Sequence, residues 1–537
     1  MIRDVDRLTA QTFDVLVVGG GIYGLTIARD AAQRGLSVAL VERDDFGSGA
    51  SFNHLRTIHG GLRYLQTFDL GRARESIRER RTLARIAPHA VQPLPFAIPL
   101  YRSIAHGKLA MRAGFLLDRI VGFDRNRGVP AALRLRGGRI VSRHTAIQEF
   151  PGLRRQGLTG AAVWQDYVTT EADRLTLAWA LGAAEHGAVL ANYVEATAPV
   201  MQGDRVAGAR AVDRASGREL EITARIVVNA TGAQIDRLVA PHDGARRVPM
   251  LKAMNLVTSR DAGDVALGGR SSTGRFLFLV PWRERALFGT WESGQPCAPD
   301  DGGVKEAEVA AFIVELNQAF PSLDLKMADV THVHRGIVPA VAHAHGRLTL
   351  QGHEQIRADR PGLVSVAGVK YTTARAVAER ITTSLLTALE RPPVACRTAV
   401  TPLPGGTIRD VSLAIADARR EHDEGLPTDT IPHLVAAYGA RYSDVLETAR
   451  ARPEWRTRLA NQSPVIGAEL IWAVRHEMAL TLADAMIRRT PLGALGYPGD
   501  AAVERAAAIV GQELGWTAER TTEEIAGVRR FYAPTGS

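Results

Sequence analysis

The clearest pattern of hydrophobic and polar residues lies at the start of the chain. An apolar run at 15–18 leads into Gly19-x-Gly21-x-x-Gly24, a helical pattern at 25–33 and a second apolar run, 37–41, followed by Glu42. Short continuous apolar runs predict buried parallel strands. The glycines permit a tight turn, close approach of backbone N–H groups to a pyrophosphate, and packing of the helix on the strand. The pattern predicts a βαβ unit that binds a dinucleotide, with Glu42 on a ribose.

Later segments alternate between helical and extended patterns. A helix is predicted at 173–185, and strands at 187–190 and 225–232, the second of which ends in a glycine turn. Apolar runs at 276–280, 286–289 and 363–366 predict a second, mostly antiparallel sheet that interrupts the first domain. After 401–406 the period is helical, and 467–489 is predicted as a helix whose apolar stripe is core packing.

Length and composition limit the classes of protein to which the chain can belong. A chain of 537 residues is too long to form one compact core, so two or three domains are expected. The two cysteines, Cys297 and Cys396, form no disulfide framework and match no metal-ligand spacing, which predicts a reducing compartment and no metal site. The sequence shows no signal peptide and no apolar run of membrane-spanning length, so the protein is expected to be cytoplasmic. Peripheral contact with the inner face of the membrane is left open.

The formal net charge of +9 would suit nucleic acid, an anionic membrane, or an anionic substrate and cofactor. No basic run is interleaved with stacking aromatic residues, so nucleic acid is not an expected partner. The densest basic stretch, 72–85, also contains Glu75 and Glu79, which are spaced to pair with its arginines on a helix. This pairing favours a solvated helix face over a membrane-docking helix.

Four further motifs point to one family. They are Ile58-His-Gly-Gly-Leu-Arg-Tyr-Leu65, Val228-Asn-Ala-Thr-Gly232, Gly368-Val-Lys-Tyr-Thr-Thr373 and a tail that contains Trp472-Ala-Val-Arg-His-Glu-Met and Arg488-Arg489-Thr490. With them the chain resembles the FAD-dependent glycerol-3-phosphate dehydrogenases of the D-amino-acid oxidase-like superfamily. The resemblance implies an α/β fold, in which an antiparallel-sheet substrate (cap) domain interrupts a Rossmann-type FAD-binding domain and an all-α C-terminal domain follows.

The expected domain division follows from this resemblance. Residues 1–95, 151–245 and 351–398 are assigned to a discontinuous FAD-binding domain, 96–150 and 246–350 to the cap, and 399–537 to the helical domain.

The expected cofactor site combines the glycine motif with segments that follow later strands. Gly368–Thr373 precedes a predicted helix whose N-terminus can stabilise negative charge on reduced flavin, although Thr372 or Thr373 could simply cap that helix. The residues expected to bind FAD are Gly19, Gly21, Ile22, Tyr23, Gly24, Glu42, Arg43, Ser51, Arg56, Thr57, Val194, Ala230, Thr231, Gly232, Gly368, Lys370, Tyr371, Thr372 and Thr373.

The resemblance implies hydride transfer from a secondary alcohol to flavin, with a base that accepts the hydroxyl proton. Arg63, Tyr64 and Lys370 match the family's substrate-contacting residues, and cationic side chains suit a phosphate. The expected catalytic residues are His59, Arg63, Tyr64, Arg335 and Lys370. His332 and His334 also have the chemistry of a base, but a structural role is favoured for each.

The sequence departs from the family on the substrate side. Val338 stands where the family has an arginine, and Arg335 precedes it by three residues, on the opposite face of a regular strand. A second family arginine corresponds to Arg347 or Arg357. His54 and Leu55 also replace small hydroxyl residues.

The expected substrate is glycerol 3-phosphate or a related small phosphorylated polyol. The alternatives are an oxidase or dehydrogenase of a small hydroxy or amino acid, or a flavin redox sensor. A nicotinamide enzyme fits the first motif but not the segment 368–373. The electron acceptor is expected to be quinone or oxygen, and a homodimer is left open.

Overall fold

A computed structural model describes residues 1–65, 68–102, 107–239, 248–343, 347–422 and 425–533, with Arg63 described for its backbone only. Two sheets and a helical C-terminal region form the structure. The first sheet contains β1 (Phe13–Val18), β2 (Val38–Val41), β7 (Val189–Ala191), β8 (Val194–Gln202), β9 (Arg205–Asp213), β10 (Glu219–Asn229), β17 (Gln355–Arg360) and β18 (Leu363–Ala367). The second contains β3 (Thr57–Ile58), β4 (Gln92–Tyr101), β5 (Arg139–Ser142), β6 (Leu158–Val168), β11 (Met250–Thr258), β12 (Ala266–Arg270), β13 (Phe276–Trp282), β14 (Arg285–Glu292), β15 (Val330–Ala342) and β16 (Leu348–Leu350).

The helices are α1 (Ile22–Gln33), α2 (Leu62–Leu65), α3 (Leu70–Ile86), α4 (Lys108–Val121), α5 (Arg143–Glu149), α6 (Ala172–Glu185), α7 (Ile235–Leu238), α8 (Glu306–Ala319), α9 (Ala374–Ala388), α10 (Val411–His422), α11 (Thr430–Tyr438), α12 (Tyr442–Arg450), α13 (Gly467–Glu477), α14 (Asp500–Leu514) and α15 (Ala518–Tyr532). Within the described ranges, no helix has the length and apolar character needed to cross a membrane.

The first sheet is parallel at its centre, in the order β18-β10-β1-β2-β7. Every residue of β1 is buried, which explains its uninterrupted apolar character. Helix α1 packs between α6 and α9. The βαβ unit predicted from the glycine pattern is confirmed.

The second sheet is mostly antiparallel, as predicted, with β12 and β4 as a parallel pair. Phe312 and Leu316 of α8 form a core with Leu267 and Phe288 on one face of this sheet. The run 363–366 was wrongly predicted to join it, because β18 pairs in parallel with β10 in the first sheet. Continuous burial gives both kinds of strand the same apolar composition.

The expected domain division stays a prediction. Strand β6 lies within a segment assigned to the FAD-binding domain, yet it pairs with β4 and β5 in the second sheet.

The segment 467–489 is not one helix, contrary to the prediction. Helix α13 ends at Glu477, Met478 adopts a left-handed conformation (φ +57°), and a π-helix, Asp484–Arg489, follows. The carboxylate of Asp484 accepts hydrogen bonds from the N–H groups of Leu480 and Thr481. These bonds stabilise the turn that leads into the π-helix.

Buried ion pairs join this π-helix region to the first sheet. Arg489 Nη2 donates to Asp45 Oδ1 at 2.8 Å, and Arg174 Nη2 on α6 donates to Glu477 Oε1 at 2.8 Å. Burial alone would raise the pKa of Asp45, but the charge of Arg489 outweighs burial and lowers it. Arg488 and Arg489 thus both contact Asp45, in the loop that follows β2.

The basic helix α3 is not the solvated face that its charge pattern favoured. Glu79 and Arg80 are buried, and Glu79 accepts two hydrogen bonds of 2.6 Å from Arg375 on α9. These charges tie α3 to its neighbours.

Candidate active site

A cavity of about 2150 Å³ lies at the carboxyl edge of the first sheet and extends to the second. Its wall includes Val18 and Glu42 at the ends of β1 and β2, and Ala230 after β10. In open α/β sheets, ligands bind outside these carboxyl ends. The volume exceeds the 300–1,000 Å³ or so of an ordinary small-molecule pocket, so a dinucleotide and a substrate can share it.

The glycine motif forms a cradle that larger residues would fill. Gly19 has φ +107°, and a Cβ atom there would lie 2.5 Å from the carbonyl oxygen of Ala230. A Cβ atom at Gly24 would lie 1.9 Å from the carbonyl oxygen of Gly19, so only glycine lets α1 pack this closely on the turn. The N-terminus of α1 therefore opens into the cavity, where its partial positive charge suits phosphate.

Glu42 lies at the end of β2, half-buried in the cavity wall. Its Oε2 accepts a hydrogen bond from the N–H of Gly20 at 2.6 Å, and its Oε1 accepts one from Asp44 at 2.9 Å. Burial raises the pKa of this carboxyl. The backbone bonds fix its orientation and leave each oxygen a lone pair for a ribose hydroxyl.

The segment 368–373 lines the other side of the cavity and leads into α9. Thr373 is the N-cap residue, but its side chain makes no capping hydrogen bond, and its Oγ1 atom is buried without a partner in the described part of the chain. The structure does not support the simple capping role for Thr373. An orphaned hydroxyl beside a helix N-terminus instead fits a bound anionic or hydrogen-bonding group.

Most predicted cofactor residues meet in this cavity. Those that line it are Gly19, Gly21, Ile22, Tyr23, Glu42, Arg43, Ser51, Thr57, Val194, Ala230, Thr231, Gly232, Gly368, Lys370, Tyr371, Thr372 and Thr373. Gly24 lies behind the wall, in the first turn of α1, where it packs against Gly19.

Arg56 is directed away from the cavity wall. Its guanidinium is buried 3.3 Å from Asp173 and lies over the rings of Phe52 and Trp282, at 5.3 and 5.0 Å. The guanidinium of Arg56 is therefore held by protein side chains, and this geometry does not support the expected contact with the cofactor.

His59 presents its ring to the cavity, and Asp166 on β6 orients it. His59 Nδ1 lies 3.3 Å from Asp166 Oδ2, and Nε2 lies 2.8 Å from Thr57 Oγ1. Asp166 is buried and also contacts Arg80, Gly60 N–H and Trp164 Nε1. Burial alone would raise the pKa of Asp166, but the charge of Arg80 and the hydrogen bond from His59 lower it to about 2.

The ionised Asp166 determines how His59 is protonated. A carboxylate only accepts hydrogen bonds, so the Nδ1 atom of His59 donates to Asp166, and in the neutral ring Nε2 is the atom that can accept a proton. Sequence reasoning missed Asp166. The available signal was a single acidic residue within an apolar strand, Ala161-Ala-Val-Trp-Gln-Asp-Tyr-Val168.

Cationic side chains also face the cavity. Lys370 Nζ lies 5.8 Å from the centre of the Tyr64 ring, so two predicted catalytic residues are neighbours. Arg270, at the end of β12, and Arg347 line the same cavity, and neither forms an ion pair with any residue that the structure describes. Arg270 was not predicted. The side chain of Arg63 lies outside the described residues.

Strand β15 forms part of the wall. Arg335 and Val338 both border the cavity, and the Arg335 N–H donates to Asn53 Oδ1 at 2.9 Å. Arg335 pairs with Met254 and Val338 pairs with Leu251, and both partners are buried. Arg357, in contrast, lies on β17 beside Asp359 and outside the cavity wall.

His332 and His334 do not reach the cavity. They are buried among Phe52, Phe531 and Tyr532, with ring centres 5.2 to 5.5 Å apart. Burial lowers the pKa of His332 to about 3, and the pKa of His334 also falls. Their structural role is therefore supported, and they are poor candidates for the base.

Comparisons with known proteins agree with this geometry. Residues 14–384 match the family described as FAD dependent oxidoreductase, and 396–521 match the C-terminal domain of alpha-glycerophosphate oxidase. A glycerol-3-phosphate dehydrogenase of Synechocystis sp. is 31% identical over 98% of this chain and 97% of its own length. One from Mycobacterium leprae is 33% identical over 97% of this chain and 88% of its own length.

A solved structure shares the fold. The glycerol-3-phosphate dehydrogenase of Bacillus halodurans, complexed with FAD, has a TM-score of 0.77 at 23% identity, covering 99% of this chain and 98% of its own. The resemblance in sequence and the expected fold class are confirmed. The chain belongs to the FAD-dependent oxidoreductase family, in the branch that carries the alpha-glycerophosphate oxidase C-terminal domain.

Proposed function

We propose that the protein oxidises the secondary alcohol of glycerol 3-phosphate or a closely related small phosphorylated polyol. Relatives that span nearly the whole chain are named glycerol-3-phosphate dehydrogenase. The observation that carries the proposal is a base oriented by a buried carboxylate, the His59–Asp166 pair, which faces the same cavity as Lys370.

The residues present fit FAD. The glycine cradle and the α1 N-terminus would hold the pyrophosphate, Glu42 would bind the ribose, and the α9 N-terminus would face the flavin end. When bound, FAD supplies a hydride acceptor at flavin N5.

The chain's own residues would handle the proton and the phosphate. As the substrate carbon loses its hydride, the hydroxyl proton would pass to the Nε2 lone pair of His59, and Asp166 would stabilise the resulting imidazolium. Thr57 Oγ1 lies 2.8 Å from Nε2, so the substrate hydroxyl would share or replace this contact. Lys370, Arg270 and Arg347 line the cavity and would offer positive charge to the phosphate.

Anaerobic reduction of the flavin tests the substrate. Purified holoenzyme should lose its absorbance near about 450 nm, typical of oxidised flavin, when glycerol 3-phosphate is added. Glycerol, which lacks the phosphate, is the matched control. Bleaching by a small hydroxy or amino acid, but not by glycerol 3-phosphate, would favour the rival oxidase. Stoichiometric reduction without turnover would favour a redox sensor.

The variant His59→Asn tests the base. We expect flavin reduction to slow by about 10²–10⁴-fold, the usual contribution of a general base. His144→Asn, at an exposed position on α5, is the control and should reduce flavin at the wild-type rate. An unchanged rate in His59→Asn would exclude His59 as the proton acceptor.

For the electron acceptor we propose a lipid-soluble quinone, which implies peripheral contact with a membrane. The net charge of +9 and the naming of the relatives as dehydrogenases support this choice. Steady-state formation of hydrogen peroxide at the rate of substrate oxidation would instead identify oxygen. A homodimer and the localisation stay predictions.

A further inference from the structure

The cavity continues past His59 into a part with an apolar wall, which we call the apolar arm. The side chains that define it come from β4, α4, β6 and β13 and all line the cavity: Ile98, Leu100, Met111, Trp164, Phe276 and Phe278. The ring centre of Phe278 lies 6.0 Å from that of His59 and 5.1 Å from that of Phe276. The arm therefore begins at the proposed base and leads away from it along β13.

Strand pairing gives the arm a floor. Phe278 lies opposite Gly268 in the β12–β13 pair, and Phe276 lies two residues away on the same strand. Opposite residues of an antiparallel pair share a face of the sheet, as do alternate residues of one strand. A Cβ atom at Gly268 would lie 2.6 Å from Ile98 Cγ2 and 2.7 Å from Phe276 Cζ. Glycine at this position therefore lets both side chains lie over the sheet.

The arm is separate from the place expected for FAD. None of the residues expected to bind FAD lies on α4, β4, β6, β12 or β13. Glycerol 3-phosphate has three carbons, so a molecule held between His59 and Lys370 would not extend over Phe276. This phenylalanine is 40% exposed. Exposed apolar side chains inside a concave site mark the place of an apolar ligand group.

The polar side-chain atoms of the arm already have partners. Trp164 Nε1 donates to Asp166 Oδ2 at 3.1 Å. The hydroxyl of Tyr101, which also lines the cavity, donates to the carbonyl oxygen of Arg154 at 3.2 Å. A ligand group rich in hydroxyls would lose hydrogen bonds to water here and gain none from these side chains. An aliphatic chain has no such bonds to lose.

We propose that the apolar arm binds an aliphatic chain of the substrate. The substrate class is a phosphorylated polyol in which the hydroxyl next to the oxidised alcohol carries an alkyl group as an ether. Its phosphate would lie near Lys370 and its secondary hydroxyl near His59. The chain would run along Phe278 and Phe276. This inference deepens the proposed function, on which it rests for the reaction, the oxidation of the secondary alcohol to a ketone.

Anaerobic reduction of the flavin in the holoenzyme tests the substrate class. No electron acceptor is present, so the assay reports on the substrate alone. The hexyl ether of glycerol 3-phosphate should half-saturate flavin reduction at a concentration about 10–100-fold lower than glycerol 3-phosphate, since each buried methylene adds affinity. An ether chain of equal length that contains further oxygens is the matched control and should gain little. Equal half-saturation by all three compounds would overturn the proposal.

The variant Phe276→Asp places a charge in the arm. Because Phe276 is partly exposed, the fold should tolerate the change. The preference for the hexyl ether over glycerol 3-phosphate should fall by about tenfold or more, since a carboxylate beside the chain would lose its water. Val314→Asp, at an exposed position of α8 outside the cavity wall, is the control and should keep the wild-type preference. An unaltered preference in Phe276→Asp would contradict the assignment.

Hexyl phosphate, which has no alcohol to oxidise, separates this inference from the proposed function. Calorimetry should show that the wild-type holoenzyme binds it about tenfold or more tightly than methyl phosphate, and Phe276→Asp should remove most of the difference. If this holds while neither glycerol ester reduces the flavin, the proposed substrate fails and the arm stands. Equal binding of hexyl and methyl phosphate would refute the arm, even in an enzyme that oxidises glycerol 3-phosphate.

Discussion

Charged side chains are treated differently in two regions of the molecule. Between the helical C-terminal region and the first sheet, Asp45 meets Arg489 and Glu477 meets Arg174, all buried and paired. Around the cavity, Lys370 lies over an aromatic ring and has no acidic partner in the described ranges. Burying a charge is costly unless it is paired. The unpaired charges therefore mark a place for an anionic ligand, and the paired ones hold domains together.

Among the variants considered, Arg489→Ala should cause the largest loss in the free energy of unfolding, because it removes a buried ion pair. The change leaves Asp45 buried without its main partner, so we expect a loss of about 3–5 kcal/mol in the free energy of unfolding. Urea unfolding followed by fluorescence measures it. Asp45 follows Glu42 by three residues, so the variant should also lose FAD more readily.

A matched control sits on the surface of the same region. Arg475 and Glu513 form a partly exposed pair, 2.6 Å apart, and Arg475→Ala should cost no more than about 1 kcal/mol. If Arg475→Ala and Arg489→Ala had equal effects on unfolding, the distinction based on burial would be wrong.

Lys370→Ala would test the unpaired region. Loss of a charge-assisted contact to phosphate should lower kcat/KM for glycerol 3-phosphate by about 10–100-fold, and the free energy of unfolding should change little because no ion pair is broken. Steady-state kinetics and urea unfolding measure the two effects. Lys326→Ala, at an exposed site beside Asp324, serves as the control. Intact turnover in Lys370→Ala would remove Lys370 from the phosphate site.

Acid should lower the free energy of unfolding, because some histidines are buried in the neutral form. Burial, then Arg335 and Arg56, lower the pKa of His332 to about 3, whereas an unfolded histidine titrates near about 6.5. The folded state therefore resists protonation, and stability present above about pH 6.5 is lost as the pH falls toward 3. By pH 5 the loss from this residue is about 2 kcal/mol.

Unfolding measured at pH 7.5 and pH 5 in wild type and His332→Phe checks this effect. The variant should lose part of the acid sensitivity, whereas the exposed-site variant His144→Gln should retain all of it. Identical pH dependence in wild type and His332→Phe would show that the contact with Phe531 and Tyr532 tolerates a charged ring.

Local patterns predicted the nucleotide end of the cavity well. The glycine spacing, the apolar runs and Glu42 act over about thirty residues, and Gly19 and Gly24 each have a steric reason visible in the structure. The substrate end depends on contacts between distant segments. Asp166 reaches His59 across 107 residues, and no local pattern marks such a pair. Arg56 and the broken helix at Met478 were missed for the same reason, since tertiary contacts decide both.

The Asp45–Arg489 contact has a consequence for how the chain can be divided. A fragment that ends after α9 would retain every described residue of the cavity wall, yet it would expose Asp45 and Arg174 without their partners. Such a catalytic fragment should misfold or shed its cofactor. The segments 14–384 and 396–521, which match two family models, should therefore fold as one unit and not as an enzyme with a separable module.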